Sequence, residues 1–268
     1  MVLLRKSIPQ NHDLQTAVEH GVRVIIGTEM ASENNSIDVL GIKPIADSVN
    51  KVTDGAVNGA SAFLSRICLP AAEEFGLLLR DKVSSWRTNN AVKIANSAQK
   101  LLEQRVCSVA LHAHPRIVYS ALEQGSWVEE EYVQKMWGGL LASSCTESGK
   151  DESNLIFLNL LANLTSSQAK LIGYICQNSV KEVTVAGWLV CNEDYTLGIE
   201  KLKEIMGVVD IHHLDRELDH LRSVELIIGG FDQQHQDADV TPTSLCLQLY
   251  CRCQGFVGSP VDFYGLEP

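Results

Sequence analysis

The chain has 268 residues, of which 45% are hydrophobic and 21% are charged, as in globular proteins of one large or two smaller domains. No apolar run reaches the roughly 20 residues of a membrane-spanning helix, and the start lacks a signal-peptide core, so we expect a cytoplasmic protein. Residues 1–106 carry 12 basic and 11 acidic residues, whereas 107–268 carry 10 and 22, so the net charge of −11 lies in the second part. Such an acidic part is a poor general platform for nucleic-acid backbones, although a local basic patch stays compatible with binding.

The first part of the chain predicts an irregular segment followed by a helix. Residues 1–40 show no sustained periodicity, and residues 30–38 are polar and rich in turn formers. From near Pro44, apolar residues recur at steps of three and four, which predicts one helix face. Gly55 and Gly59 lie four apart on it, a spacing that favours close contact with another helix and that marks helix dimers in membranes.

A second helix is predicted from Pro70 to about Arg105, with a break near residues 88–90. Between residues 80 and 105 there are six basic and two acidic residues, and the three lysines among them share one side of the helix. This pattern predicts either a solvated face or a surface for an anionic partner, with a tryptophan as anchor. The residues predicted to bind that partner are Lys82, Trp86, Arg87, Lys93 and Lys100.

An acidic triplet precedes an almost uncharged run in EEEYVQKMWGGLLASSC. The preceding segment, 115–125, predicts a short helix that ends at a glycine. Ser126 lies three residues before Glu129, the spacing of a capping box, so we interpret the acids as a helix start rather than a reactive centre. Gly138 and Gly139 cost helix stability, which indicates that a neighbouring element packs close to them.

Residues 178–268 predict a small α+β part. Gly207 closes one helix, residues 211–227 form a second, and a strand with a turn, LIIGGFD, follows. Pro242 then begins a final helix. Helix, helix, hairpin, helix is the order of a winged-helix unit.

These patterns predict a mainly α fold, a multi-helix domain with a small C-terminal winged-helix-like α+β part. The expected division is an irregular segment 1–40, a helical domain 41–177 and the C-terminal part 178–268. Within the helical domain, Thr165 and Gln168 have the spacing of a further capping box.

Motifs for known chemistry are absent from the sequence. It contains no GxxxxGK[ST], GxGxxG, GxSxG or HExxH, so we predict no catalytic residue and no cofactor. Eight cysteines include no CxxC pair and are interpreted as reduced, mostly buried thiols. The densest histidine group offers only weak metal candidates, because adjacent histidines on a helix point apart. These candidates are His212, His213 and His220.

Four segments in order carry a family likeness. They are a Pro-x-x-acidic-acidic helix start, an acidic start before Trp-x-x-Leu-Leu-Ala, a Ser-x-Gln-Ala helix start, and a closing Thr-Pro element. Over about residues 65 to 255 they resemble the abortive infection alpha (Abi-alpha) family, although Cys246 stands near a position where that family commonly has glycine. The matching positions are Pro70, Glu73, Glu74, Gly76, Asp81, Lys82 and Trp86, then Glu130, Trp137, Leu140, Leu141 and Ala142, then Ser166, Gln168 and Ala169, and finally Pro242, Leu245, Leu249, Tyr250 and Cys253.

The resemblance implies a predominantly helical protein of bacterial abortive infection, in which arrest or death of the infected cell limits phage. The family has no established catalytic motif, so we expect a non-enzymatic sensor or effector that binds an unknown protein or anionic partner. Three alternatives stay open: a winged-helix nucleic-acid regulator that reads with residues 214–223, a membrane-acting toxin that uses residues 44–69, and an enzyme. The enzyme would act through His112, His114, His212, His213 and His220. The acids Asp215, Glu217 and Asp219 argue against the first. A homo-oligomer is also compatible with the sequence.

Overall fold

The computed structural model describes residues 54–70, 73, 76, 84–105, 109–232 and 236–267. All of them belong to the unit Val49–Pro268. The predictions for residues 1–40 and for Lys82 therefore lie outside the described residues. The division at residue 178 stays a prediction.

Six helices come first in the described part of the chain. Helices α1 to α6 span Asp54–Ile67, Ser84–Glu103, Pro115–Gly125, Glu131–Ser143, Leu155–Ala162 and Ser166–Asn178. The predicted mainly helical class is confirmed. Pro70, Glu73 and Gly76 are also helical, as the sequence predicted for the start of the second helix.

Helix α2 runs without the break that the sequence predicted at residues 88–90. The Asn90 side chain is buried, donates to the Ser126 carbonyl at 3.0 Å and accepts from the Gln134 amide at 3.0 Å. Because these partners satisfy the amide within the core, Asn90 does not need to compete for the helix backbone.

Helix α4 crosses the centre of the unit with its two glycines against neighbouring backbone. A Cβ built on Gly138 would lie 2.6 Å from the Ser97 Cβ in α2, and one built on Gly139 would lie 1.7 Å from the Cys253 carbonyl oxygen. Trp137 between these helices is fully buried. The predicted close packing at both glycines is confirmed, and it explains why α4 accepts their helix-weakening effect.

The C-terminal part combines short strands with helices. Its elements are β1 Lys181–Val183, β2 Leu189–Cys191, β3 Thr196–Gly198, α7 Ile199–Met206, α8 Ile211–Ser223, β4 Asp237–Asp239, α9 Ser244–Cys253 and α10 Pro260–Phe263. Strand β1 pairs antiparallel with β2, and β3 pairs antiparallel with β4. Both small sheets are consistent with the predicted α+β character.

Besides β3, a second chain segment that follows α8 also pairs with the β4 region. Phe231 forms an antiparallel bridge with Ala238, and the Ile228 amide donates to the Thr241 carbonyl at 3.0 Å. The chain between α8 and α9 therefore forms a hairpin, as the strand-and-turn signal LIIGGFD indicated.

The predicted capping box at Ser126 and Glu129 is wrong. Helix α4 begins only at Glu131, and its N-cap residue Glu130 makes no side-chain capping bond. Ser126 instead ends α3, where its hydroxyl donates to the Glu123 carbonyl at 3.1 Å. The spacing of Ser126 and Glu129 matches a capping box, but Ser126 is the C-cap residue of α3.

Two other local predictions have clear outcomes. The capping box of Thr165 and Gln168 at α6 is confirmed with both reciprocal bonds, and Gly207 ends α7 in the left-handed region at φ 67°. By contrast, Gly55 and Gly59 are exposed on α1, and no described residue lies within 4 Å of a Cβ built on Gly59. The described structure gives no helix contact there.

Candidate functional site

The two predicted lysines of α2 that the structure describes lie on its outer side. Lys93 and Lys100 are exposed, while Ile94 and Ala98 face the core. The ion pair with Lys135 lowers the pKa of Glu131, and Lys93 contributes a smaller lowering, which places Lys93 within electrostatic range of the α4 start. The outer side of α2 is thus bounded by the acidic start of α4.

About two turns before Lys93, Trp86 and Arg87 form an aromatic cluster with Trp127 from the loop after α3. The two indole rings lie 6.0 Å apart at 57°, and the Arg87 guanidinium lies 4.2 Å from the Trp127 ring centroid. Arg87 also pairs with Glu123 at 2.8 Å and donates to the Ser126 hydroxyl at 3.0 Å. We refer to Trp86, Arg87 and Trp127 below as the aromatic cluster.

Within the aromatic cluster the three side chains have different roles. Arg87 is only 15% exposed and is bound to groups of α3, so it positions Trp127. Trp86 is half-buried, and its indole N–H donates to the Glu129 carboxylate. Trp127 keeps 54% of its surface exposed although two side chains pack on it. It therefore offers the main apolar contact area of the cluster.

Trp127 is the residue that sequence reasoning missed. It lies in the short loop between α3 and α4, outside any helical periodicity. The only available signal was its position directly after Ser126, in the segment GSWVEEE. The candidate surface for a partner consists of the aromatic cluster together with the exposed Lys93 and Lys100 of α2, and we refer to it below as the partner surface.

The histidines of α8 serve contacts within the protein. His213 pairs with Glu217 at 3.0 Å, and the His220 ring contacts the Gln168 side chain at 2.9 Å, while His212 is exposed. Across the described ranges, no three histidine, cysteine or acidic side chains converge as metal ligands would. His213 thus pairs with an acid within α8, and His220 connects α8 to α6.

Two of the described thiols, Cys145 and Cys251, are unfavourable nucleophiles. Burial raises the pKa of Cys145 to about 12 and that of Cys251 to about 11, so both stay protonated near neutral pH. Reaction at cysteine requires the thiolate. Cys176 and Cys246 approach to 3.6 Å between sulfurs but are free thiols in a fully buried position. The arrangement is that of core packing.

Comparison with known proteins gives one decisive match. The sequence model of the family described as abortive infection alpha matches residues 89–242, which is more than half of the chain. The chain belongs to this family. Two of the four segments that suggested the likeness lie inside the match, the first lies before it, and the closing element begins at its last residue. No curated protein matches the chain, and no solved structure does.

Membership of the abortive infection alpha family suggests a part in phage defence. The match begins within α2 and includes Lys93 and Lys100 as well as Trp127, whereas Trp86 and Arg87 precede it. None of the helices in the described ranges combines the length and apolar character needed to cross a membrane.

Proposed function

We propose that the chain acts in abortive-infection defence as a non-enzymatic sensor or effector that binds a protein or another anionic partner through the partner surface. The observation that carries the proposal is the exposed Trp127 ring, held in place by Arg87 at 4.2 Å from its centroid, while α2, the helix of Arg87, also carries two exposed lysines. Family membership supplies the biological setting.

The composition of the partner surface supports binding. Tryptophan and arginine are enriched among residues that contribute most to protein interfaces, and a rigid ring loses little conformational entropy on contact. Lys93 and Lys100 add positive charge at the exposed side of α2. In a protein of net charge −11, such a patch orients an acidic partner during encounter.

The test of the proposal reverses the two lysines. A Lys93→Glu, Lys100→Glu double variant should lose plaque reduction and let infected cells survive, because like charges now repel the partner. The control is Lys150→Glu with Lys201→Glu, which makes the same change in net charge away from α2, at the exposed Lys150 and at the partly exposed Lys201 that pairs with Glu204. Plaque number and survival of infected cells are measured for each strain, at equal protein abundance.

A Trp127→Ala variant examines the aromatic cluster in the same assays. Since its ring is more exposed than buried, its removal should weaken defence while leaving the thermal unfolding midpoint within a few degrees of the parent. Full defence by both the lysine and the tryptophan variants would reject the partner surface.

A second candidate is a winged-helix-like regulator of nucleic acid, and the strand pairing supports it. Strand β3 precedes α7 and α8, the hairpin follows them, and β4 lies between β3 and Phe231 in the pairing. That is the order expected of a winged-helix unit, in which α8 would face the nucleic acid.

The charges of α8 weigh against this regulator. Asp215 and Asp219 share its exposed side with Arg216, and Arg222 is bonded to Asp219 at 2.5 Å. Acids there repel phosphates. A gel shift on random duplex DNA at low salt separates the two candidates: no retarded band favours the partner surface, and a band abolished by Arg216→Glu favours the regulator.

A further inference from the structure

A cavity of about 720 Å³ that is open to solvent lies between the end of α2, the loop after α4 and the turn after α9. Cavities of about 300–1,000 Å³ bury ligands of drug size. Most of its wall is apolar, which suits a hydrocarbon or aromatic group. The apolar side chains that line it include Leu101, Leu111, Phe256, Val257 and Phe263.

Hydrogen bonds hold one wall of the cavity in shape without a ligand. Gly255 adopts φ +81°, and its carbonyl accepts from the Arg105 guanidinium. Arg252 donates to the carbonyls of Phe256 at 2.8 Å and Gly258 at 3.3 Å. Because the turn is already fixed, little conformational entropy is lost when a molecule enters.

One end of the cavity carries an arginine and an acid. Arg105 and Glu147 line it, and Arg105 also lines a smaller cavity of about 310 Å³, whose wall contains Arg66 and Glu103. Both carboxylates are exposed, whereas Arg105 is half-buried. Water screens exposed charges more strongly than half-buried ones, so the field of the guanidinium is reduced less than that of the acids.

The buried thiol of Cys145 lies on the wall of the larger cavity and senses both arginines. Burial raises its pKa, and the charges of Arg105 and Arg66 oppose that rise. Both guanidinium groups are therefore within electrostatic range of the cavity wall. The protonated thiol adds to the uncharged part of the lining.

We propose that this cavity binds a single-chain amphiphile, with its apolar chain among Leu101, Phe256 and Phe263 and its carboxylate or phosphate at Arg105. Two sources carry this chemistry, a free fatty acid and a lysophospholipid released from a membrane. The proposal goes beyond the partner surface, since none of the cavity residues belongs to that surface. Its failure would leave the proposed function untouched, and the reverse also holds.

The test uses isothermal titration of the full chain with three probes, the two anionic ones below their micelle concentrations and the neutral one below its solubility limit. Dodecanoate and dodecyl lysophosphatidylglycerol represent the two sources, and dodecanol lacks the anionic group. At least one anionic probe should bind one to one, and dodecanol should bind roughly tenfold more weakly or worse, since a bond to a charged group is lost. The better anionic probe identifies the source.

A variant that fills the cavity locates the bound probe. Val257 is 43% exposed at the cavity wall, so Val257→Trp places an indole in the space without disturbing the core. It should weaken the anionic probe at least roughly tenfold. The control is Val185→Trp on the exposed β1–β2 turn, which should bind as the parent does.

Several outcomes would overturn the proposal. They are no saturable binding of either anionic probe by the parent chain, equal binding of dodecanol, and unchanged binding by a folded Val257→Trp variant. If that variant does not fold, the parent titrations and the rise in thermal midpoint with dodecanoate still decide the matter, because a ligand that binds only the folded state raises that midpoint.

Discussion

Gly139 has the least space around it of the glycines in α4. A side chain at this position would overlap the carbonyl of Cys253, which is backbone and cannot rotate away. The sequence indicated that an element packs against this glycine, because a helix with two adjacent glycines needs a compensating contact. It could not indicate that the element is α9, since that contact joins segments far apart in the chain.

At this residue we predict that Gly139→Ala destabilises the protein by about 3 kcal/mol or more, because α9 must move to admit the methyl group. The matched control is Gly59→Ala in α1, where a Cβ meets no described residue within 4 Å. There alanine should stabilise by up to about 1 kcal/mol through helix propensity. Urea unfolding of both variants measures the difference, and equal midpoints would contradict the packing at Gly139.

The partner surface shows which features helical periodicity can predict and which it cannot. The exposure of Lys93 and Lys100 follows from helix geometry and could be predicted. The importance of Trp127 could not, because its position depends on Arg87, which reaches across from another helix. The ion pair of Arg87 with Glu123 could not be predicted either, while its predicted contact with a partner stays a prediction.

Among the helices, those with local signals were the most predictable. Helix α3 has the predicted bounds, and α6 begins at the predicted capping box. The equivalent prediction at α4 failed because Ser126 serves the preceding helix. The three-residue strands β1 to β4 are too short to show the alternation that reveals a strand.

For helix α6 we predict that Thr165→Ala costs about 1–2 kcal/mol. The hydroxyl accepts from the Gln168 amide at 3.1 Å and donates to the buried Glu217 carboxylate at 2.8 Å, so one substitution removes two bonds. Ser166→Ala, at the exposed first position of the same helix, should change stability by less than about 0.5 kcal/mol. Thermal unfolding by circular dichroism compares them, and an equal effect would show that the cap does not contribute.

Across the whole molecule, buried thiols link stability to alkaline pH. Burial raises the pKa of Cys145 to about 12 and of Cys251 to about 11, whereas in the unfolded chain a thiol titrates near about 8.5. Above that pH the unfolded state binds fewer protons than the folded state, so stability falls as pH rises. Below it these thiols make no difference.

We therefore predict a loss on the order of 3 kcal/mol between pH 8.5 and pH 10 from these two thiols, because the slope reaches about 1.4 kcal/mol per thiol and pH unit only well above pH 8.5. Urea midpoints at pH 7, 8.5 and 10 under reducing conditions measure it. In Cys251→Ala the slope should fall by the share of one thiol. A midpoint that stays constant to pH 10 would mean that the thiols are accessible in the folded state.

The fold class of the whole molecule could be predicted from the sequence, but its cavities could not. Helical periodicity and family likeness indicated a mainly helical protein, and both the structure and the family match agree. The 720 Å³ cavity had no sequence signal, because its walls come from three segments that meet only after folding. Sites of that kind become visible only once tertiary contacts are known.

The four tryptophans lie in different environments, which their fluorescence can distinguish. Trp137 is fully enclosed, whereas Trp127 and Trp188 keep 54% and 68% of their surface in water. Collisional quenchers such as iodide reach only the exposed indole rings. The quenched part of the tryptophan fluorescence would therefore report on the surface, and the remaining blue-shifted part would report on the interior. The chain thus carries its own pair of optical reporters, one for contacts made at its exterior and one for melting of its centre.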